Sequence, residues 1–302
     1  MGSLKGQNFR ILKKNGQGWE VIAMSTNCAI TMNTEFDESS TKDDIGMAAK
    51  PISVRKSWQI QVNSLDVTNV GAMLTKLKTP ETFTLMWDET GTGDNQAPSS
   101  STECRQGEAY LTDGNFTFDN RTNSGKDLTF TGVGAISEGP EQVSSIPIVA
   151  NSYTKGQFVR LFLGSNNTTT PSTVIAAAKQ LSLHVSLTME DNTTKDTTGD
   201  WQSQEPTALN YDISTTALIS SGEIITSATG GKDLNDLETI YEAGNPVLWQ
   251  ICNVSGDNQR TKGSVIVSGS ALIQTLTINA QNRSVATYTA NLVGYGEYTV
   301  GS

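Results

Sequence analysis

Apolar and polar residues alternate with a period of two along much of this chain. The cleanest run puts Val54, Trp58, Ile60 and Val62 on one face and Ser57, Gln59, Gln61 and Asn63 on the other. A strand with one face on a core and the other in water has this pattern. Leu209, Tyr211 and Ile213 stand against Asn210, Asp212 and Ser214 in the same way. Cys28–Met32 and Leu181–Val185 read as further strands, and FRILKK and WEVIAM as a hairpin turned at Asn15-Gly16-Gln17-Gly18, where Asn and Gly supply positive φ. A helical period occurs twice, at Val67, Val70, Leu74 and Leu77 and at Leu234, Leu237, Ile240 and Tyr241. Long polar stretches, from Asn33 to about Ile52 and from Met189 to about Thr207, read as loops.

These elements occur twice in the same order. Val21-Ile22-Ala23 returns as Val174-Ile175-Ala176 and Thr41-Lys42-Asp43 as Thr194-Lys195-Asp196, both 153 residues on. In that register Gly46 falls on Gly199, Trp58 on Tyr211, Ile60 on Ile213 and Leu65 on Leu218. Gly6-Gln7 and Gly156-Gln157 each precede an apolar strand, and TFTGVG at 129–134 matches NLVGYG at 291–296. Strands then complete each half: TFTLMW, EAYLT and LTFTGVG, then PVLWQI, GSVIV, SALIQTLTI and SVATYTANLVG. The expected fold class is mainly β with short helices (α+β). Two tandem antiparallel β-sandwich or open-barrel domains, 1–140 and 155–302, each carry one helix on the sheet and are joined by a linker at 141–154.

Composition sharpens the picture. Thr, Ser, Asn and Gln make up 106 of the 302 residues, while charged residues are only 17%, against about 25% in ordinary soluble proteins. Exposed antiparallel edges must be covered or used. Pairing them around a ring leaves an inner wall of uncharged polar side chains. No apolar run is long enough to span a membrane, and the start, MGSLKGQNFR, lacks the apolar stretch of a secretory signal. The formal charge of −10 divides as −4 over residues 1–140 and −6 over the remainder, with no basic stripe. A conventional nucleic-acid binder needs basic phosphate contacts, so this balance argues against one.

Little in the chain points to catalysis. The single histidine, His184, lies at strand spacing in QLSLHVSL and reads as an ordinary strand residue. Cys28, Cys104 and Cys252 are widely spaced and form neither a disulfide framework nor a zinc motif. The TGTGD segment lacks the third Gly or Lys of a phosphate loop, and Asp88, Glu89 and Asp94 lack EF-hand spacing. DETGTGDNQAPSSSTECRQG (88–107) and ICNVSGDNQRTKG (251–263) read as solvated hairpin tips, and Asn115-Phe116-Thr117 is a chance sequon. No catalytic, cofactor or metal residue is assigned.

Several motifs together resemble the major tail tube proteins of long-tailed phages. They are Thr41-Lys42-Asp43 with Gly46, Trp58-Gln59-Ile60 with Leu65, Gly244-Asn245-Pro246-Val247, and Leu292-Val293-Gly294-Tyr295-Gly296. Tyr211 replaces the usual Trp in the second half; Trp201 fits an aromatic position after the loop where Met47 does not. The resemblance implies a virion protein assembled in the host cytoplasm, whose rings stack into a tube that conducts DNA during ejection. Two tandem domains imply a homotrimer of pseudo-sixfold symmetry, with the tape measure and other tail proteins as partners and no membrane insertion. It implies that Ser57, Gln59, Gln61, Asn63, Asn210, Asp212 and Ser214 face the lumen. Asp37, Glu38, Lys42, Asp43 and Asp44, and Asp191, Lys195, Asp196 and Asp200, are the implied inter-subunit or inter-ring loop residues. Two alternatives are the tube protein of a contractile injection system and a secreted glycan-binding or adhesive β-protein.

Overall fold

The computed structural model describes residues 9–15, 18–22, 25–40, 50–65, 70–88, 104–138, 154–194, 199–219, 231–255 and 261–301, with Gly6, Asp43 and Asp196. Among the described residues the protein is mostly β with two short α-helices. In the first half, β1 (Arg10–Asn15), β2 (Gly18–Val21), β3 (Ser25–Glu38), β4 (Pro51–Ser64), α1 (Val70–Lys78), β5 (Thr82–Asp88), β6 (Cys104–Thr117) and β7 (Gly125–Glu138) pair in the order β2-β1-β5-β6-β7-β4-β3. The second half contains β8 (Val159–Leu163), β9 (Thr173–Ile175), β10 (Ala178–Asp191), β11 (Gln204–Leu218), β12 (Gly231–Lys232), α2 (Leu234–Ala243), β13 (Val247–Ser255), β14 (Thr261–Asn279), β15 (Thr287–Gly294) and β16 (Thr299–Val300). Its order, β9-β8-β13-β14-β15-β11-β10, repeats that of the first half strand for strand.

Matching pairs fix the correspondence. Met32 opposes Trp58 as Val185 opposes Tyr211, a shift of 153; Ala109 opposes Gly132 as Ala271 opposes Gly294, a shift of 162. The aromatic pair occupies one niche in both halves. A Cβ on Gly132 would lie 2.1 Å from the Trp58 ring, and one on Gly294 would lie 2.6 Å from the Tyr211 ring. Only glycine leaves room for these rings. Their polar atoms are satisfied by backbone: Trp58 Nε1 donates to Gly134 O at 3.0 Å, and Tyr211 OH to Ser270 O at 2.6 Å. The second glycine of each GxG, Gly134 and Gly296, has φ of +72° and +77°, where a side chain is strained.

α1 packs on β6 and also meets β10, β14 and β16 of the second half, and α2 packs on β14. Val70, Leu74 and Leu77 are buried beneath α1, and Leu237 and Ile240 beneath α2; Tyr241 of the expected stripe is exposed, and Val67 lies outside the described residues. Asp233 caps α2 in a reciprocal box with Asp236, and Gly244 ends it at φ +62°. One core runs through both halves, from Trp58, Phe116 and Phe130 to Val185, Tyr211 and Trp249.

Three expectations are corrected. The two polar stretches are largely strand: β3 and β4 leave only 39–50 between them, and β10 and β11 only 192–203. Beyond the core both faces of these ribbons are wet, so apolar alternation, the sequence signal for strand, is absent there. Val54 shows this, for it is exposed while Trp58, Ile60 and Val62 on the same strand are buried. GSVIV and SALIQTLTI form one strand, β14, bulged between Ile273 and Thr275. The sheets of the two halves are one 16-stranded sheet, joined where β6 pairs with β10 and containing one parallel pair, β9 with β12. The linker expected at 141–154 lies outside the described residues except Thr154, as do 89–103 and 256–260 of the expected hairpin tips.

Candidate assembly site

The β6–β10 seam is formed by a strand that outruns its neighbour. β5 pairs with residues 104–110 of β6. Past it, Asp113–Thr117 take up β10 on the same side, with Phe116 opposite Leu183 and Gly114 opposite Val185. Phe116 and Val185 are fully buried there. Beyond the strand, Phe118 N donates to Leu181 O at 2.8 Å and Asn120 N to Lys179 O at 2.9 Å. Gly156 N donates to Thr122 O at 3.0 Å, which brings the turn after β6 against the start of the second half.

Side chains add charge to this seam. His184 Nε2 lies 2.7 Å from Asp113 Oδ2, and its Nδ1 lies 2.9 Å from Asp212 Oδ1. Partial burial pulls the imidazole pKa down, but the hydrogen bonds and charges of Asp212 and Asp113 outweigh it and hold His184 above its ordinary value. The sequence presented His184 as an ordinary strand residue; its role as a bridge between halves depends on Asp113, 71 positions away. At the far end of β10, Arg55 pairs with Asp191 at 2.5 Å and also with Glu35, and Lys56 pairs with Asp200 at 3.4 Å. Hydrogen bonding and charge from Arg55 lower the Glu35 pKa, and bonds from Thr193 and then Arg55 lower that of Asp191. Of the loop candidates, Asp191 and Asp200 thus contact the first half. Asp37, Glu38, Asp43 and Asp196 are exposed, and Lys42, Asp44 and Lys195 lie outside the described residues.

The seven strand candidates lie on one continuous polar face. Gln59, Gln61 and Asn63 oppose Thr131, Thr129 and Asp127; Asp127 opposes Asn115, Asn115 opposes His184, and His184 opposes Asp212. Ser214 continues to Asn291, and Asn291 to Thr275. Side chains bond along the face, Ser214 Oγ to Asn291 Oδ1 at 2.7 Å and Asn291 Nδ2 to Thr275 Oγ1 at 2.8 Å. Across the band from Ser57–Asn63 to Thr275, the charged groups among the described residues are Glu108, Asp113, Asp127, Asp212 and His184.

Among the described residues, two edges matching the seam have no further partner: β3 pairs there only with β4, and the part of β14 beyond Ala271 only with β15. The shifts of 153 and 162 make β3 the counterpart of β10, and the end of β14 that of Asp113–Thr117. Met32 is 50% exposed where its counterpart Val185 is 0%, and Ile278 is 51% exposed where Phe116 is 0%.

No protein-family model matches the sequence, and no curated protein matches it. Among solved structures, the chain is similar to the tail of an empty GTA particle refined with C6 symmetry. The identity is 12% and the TM-score 0.38, over 49% of this chain and 99% of that one. It is also similar to the virion of a native gene transfer agent particle (13% identity, TM-score 0.36, covering 49% and 99%). A third likeness is to the SPP1 tail tube solved by solid-state NMR and cryo EM (15%, TM-score 0.36, covering 49% and 78%).

Proposed function

We propose that this chain is the structural subunit of a phage-type tail tube, built from two tandem copies of one tube domain, 1–140 and 155–302 about a 141–154 linker. The observation that carries the reading is the seam inside the chain: β10 fills the edge of β6, while the equivalent edges, β3 and the end of β14, have no strand partner among the described residues. Pairing β3 of one chain with β14 of the next repeats the internal contact and closes a ring. In the inherited register Ile30 meets Ile278 as Leu183 meets Phe116, and Met32 meets Leu276 as Val185 meets Gly114.

Each chain then gives the wall eight strands, in the circuit β3-β4-β7-β6-β10-β11-β15-β14. The sixfold repeat implied by the motif resemblance is reached with three chains. About 24 strands, spaced about 4.8 Å and tilted by about 40°, make a wall roughly 48 Å across, wide enough for a nucleic-acid duplex.

Ser57, Gln59, Gln61, Asn63, Asn210, Asp212 and Ser214 line the lumen in this arrangement. A face of amides, hydroxyls and carboxylates hydrates passing DNA without neutralising its phosphates. The exposed ribbons ending at Asp37 and Glu38, with Asp43 and Asp196, carry contacts to the next ring. The tape measure and other tail proteins are the further partners, and the assembled location is the virion tail.

Electron microscopy and native mass spectrometry of the purified chain test the reading. Rings or tubes with a wide channel, and a closed species of three chains, are expected. A chain that stays monomeric at every concentration overturns it.

A further inference from the structure

The two halves carry grooves of very different occupancy at equivalent places. In the second half, the space beside Val159, Leu161 and Leu181 is filled by Phe118 and retains only about 20 Å³. In the first half, the space beside Phe9, Cys28 and Trp87 is an open groove of about 780 Å³. Phe9 corresponds to Val159: each follows a Gly-Gln pair, and its amide donates to the carbonyl of that glycine, Gly6 or Gly156. Trp87 corresponds to Ile251, since Ile11 opposes Trp87 as Leu161 opposes Ile251.

The element that fills the second groove also has a twin. After β6, Thr122 N bonds to Asp119 O and Arg121 has φ +66°. After β14, Ser284 N bonds to Gln281 O and Arg283 has φ +63°. The same turn is therefore built twice, 162 residues apart. The first copy is seated on the second half; the second copy, 280–284, is exposed, with Val285 beside it 68% exposed.

A glycine records the seat. A Cβ on Gly156 would lie 2.3 Å from Asp119 O, so this position must be bare for the turn to dock. A Cβ on its counterpart Gly6 would meet nothing within 4 Å. Among the described residues, nothing occupies the equivalent cradle of the first half.

We propose that the turn Ala280–Ser284 of a second copy of this chain seats in the first-half groove, and that opposite key sizes make the halves alternate around the ring. The inherited bonds run from Ala280 N to Cys28 O and from Asn282 N to Thr26 O. Size is inverted between the seams. The internal seam puts a large key, Phe118, beside aliphatic walls, Val159 and Leu161. The seam between chains puts a small key, Ala280, against large walls, Phe9 and Trp87, whose rings lie 5.9 Å apart.

Charge separates the seams as well: His184, Asp113 and Asp212 of the internal seam correspond to Thr31, Thr275 and Gln59. Ala280 in the second groove would leave empty the space that Phe118 occupies there. The proposal rests on the tube reading and adds to it the contact that orders the subunits.

The test uses the full chain. In Ala280→Cys, Cys28 and the new thiol face each other only across an assembled seam. Oxidation with diamide is then expected to link most chains to a neighbour, and Cys28→Ser in the same background to abolish the link. Ala280→Phe is expected to lower the tube yield at least tenfold, with the circular dichroism and melting of the monomer unchanged. Phe9→Val with Trp87→Ile, added to Ala280→Phe, is expected to restore tubes. Tubes that form without the cross-link and tolerate Ala280→Phe overturn the seating alone. A chain that never assembles overturns the tube reading and the seating together.

Discussion

The imidazole of His184 and the carboxylate of Asp113, 2.7 Å apart, tie the two halves of the chain together across the β6–β10 seam. His184 also reaches Asp212 within its own half, and its pKa is raised in the folded chain. A raised histidine contributes stability that is fully present below the unfolded value of about 6.5 and is lost as pH rises through the folded value.

The wild-type chain is therefore expected to resist urea better at pH 5.5 than at pH 8 by a margin that His184→Gln removes. Both partners are partly exposed, so the margin is at most about 1 kcal/mol. Parallel urea titrations of the two proteins at both pH values measure it. An identical pH difference in the variant refutes a stabilising contribution from the histidine.

The glycines beneath Trp58 and Tyr211 give a sharper test. Gly132→Ala and Gly294→Ala place a methyl group inside the ring contacts, where neither strand can yield without breaking its ladder. Each is expected to lower unfolding stability by about 3 kcal/mol, at the upper end of overpacking costs. Gly134→Ala and Gly296→Ala meet no neighbour and carry only the positive-φ penalty, about 1 kcal/mol. Chemical denaturation of the four variants distinguishes steric from conformational cost, and equal losses refute it.

Much of the fold was legible because burial writes itself into alternation: Trp58, Ile60 and Val62, and Tyr211 and Ile213, mark core strands in both halves. The duplication was legible too, since shared niches preserve the glycines, and the aromatic partner changes only from Trp to Tyr. Hidden from sequence were relations between distant residues of unlike type. His184 acquires meaning only from Asp113. Phe118 and Ala280 occupy one position of the repeat but share no chemistry, because one seats within its own chain and the other has an open groove as its counterpart site. The outer parts of β3, β4, β10 and β11 read as loop because strands wet on both faces have no apolar period to reveal them.

The second helix tests the local rules. Asp233 accepts from Asp236 N, while the Asp236 side chain accepts from the Asp233 amide, and this box holds Leu237 and Ile240 over the sheet. Asp233→Ala is expected to cost about 1 kcal/mol, and Asp233→Ser to recover most of it, because serine satisfies the same orphan amide. Thermal melts of the two variants measure this. A serine variant no better than alanine shows that charge, not capping, accounts for the loss.

The open edges make the most direct claim on function. Met32 and Ile278 are half exposed, so in an isolated chain Met32→Lys or Ile278→Lys removes little burial and is expected to change stability by no more than about 0.5 kcal/mol. In a ring each lysine would be buried at a seam whose internal counterparts, Val185 and Phe116, are fully enclosed. An unpaired buried ammonium costs several kcal/mol, enough to abolish strand pairing between chains. Each variant is thus expected to melt like the parent yet form no rings. Val185→Lys, at the equivalent internal position, is expected instead to unfold the chain itself. Sedimentation velocity, read beside the melting curves, separates these outcomes. Parent-like rings from both edge variants exclude β3 and β14 as the surfaces that join one chain to the next.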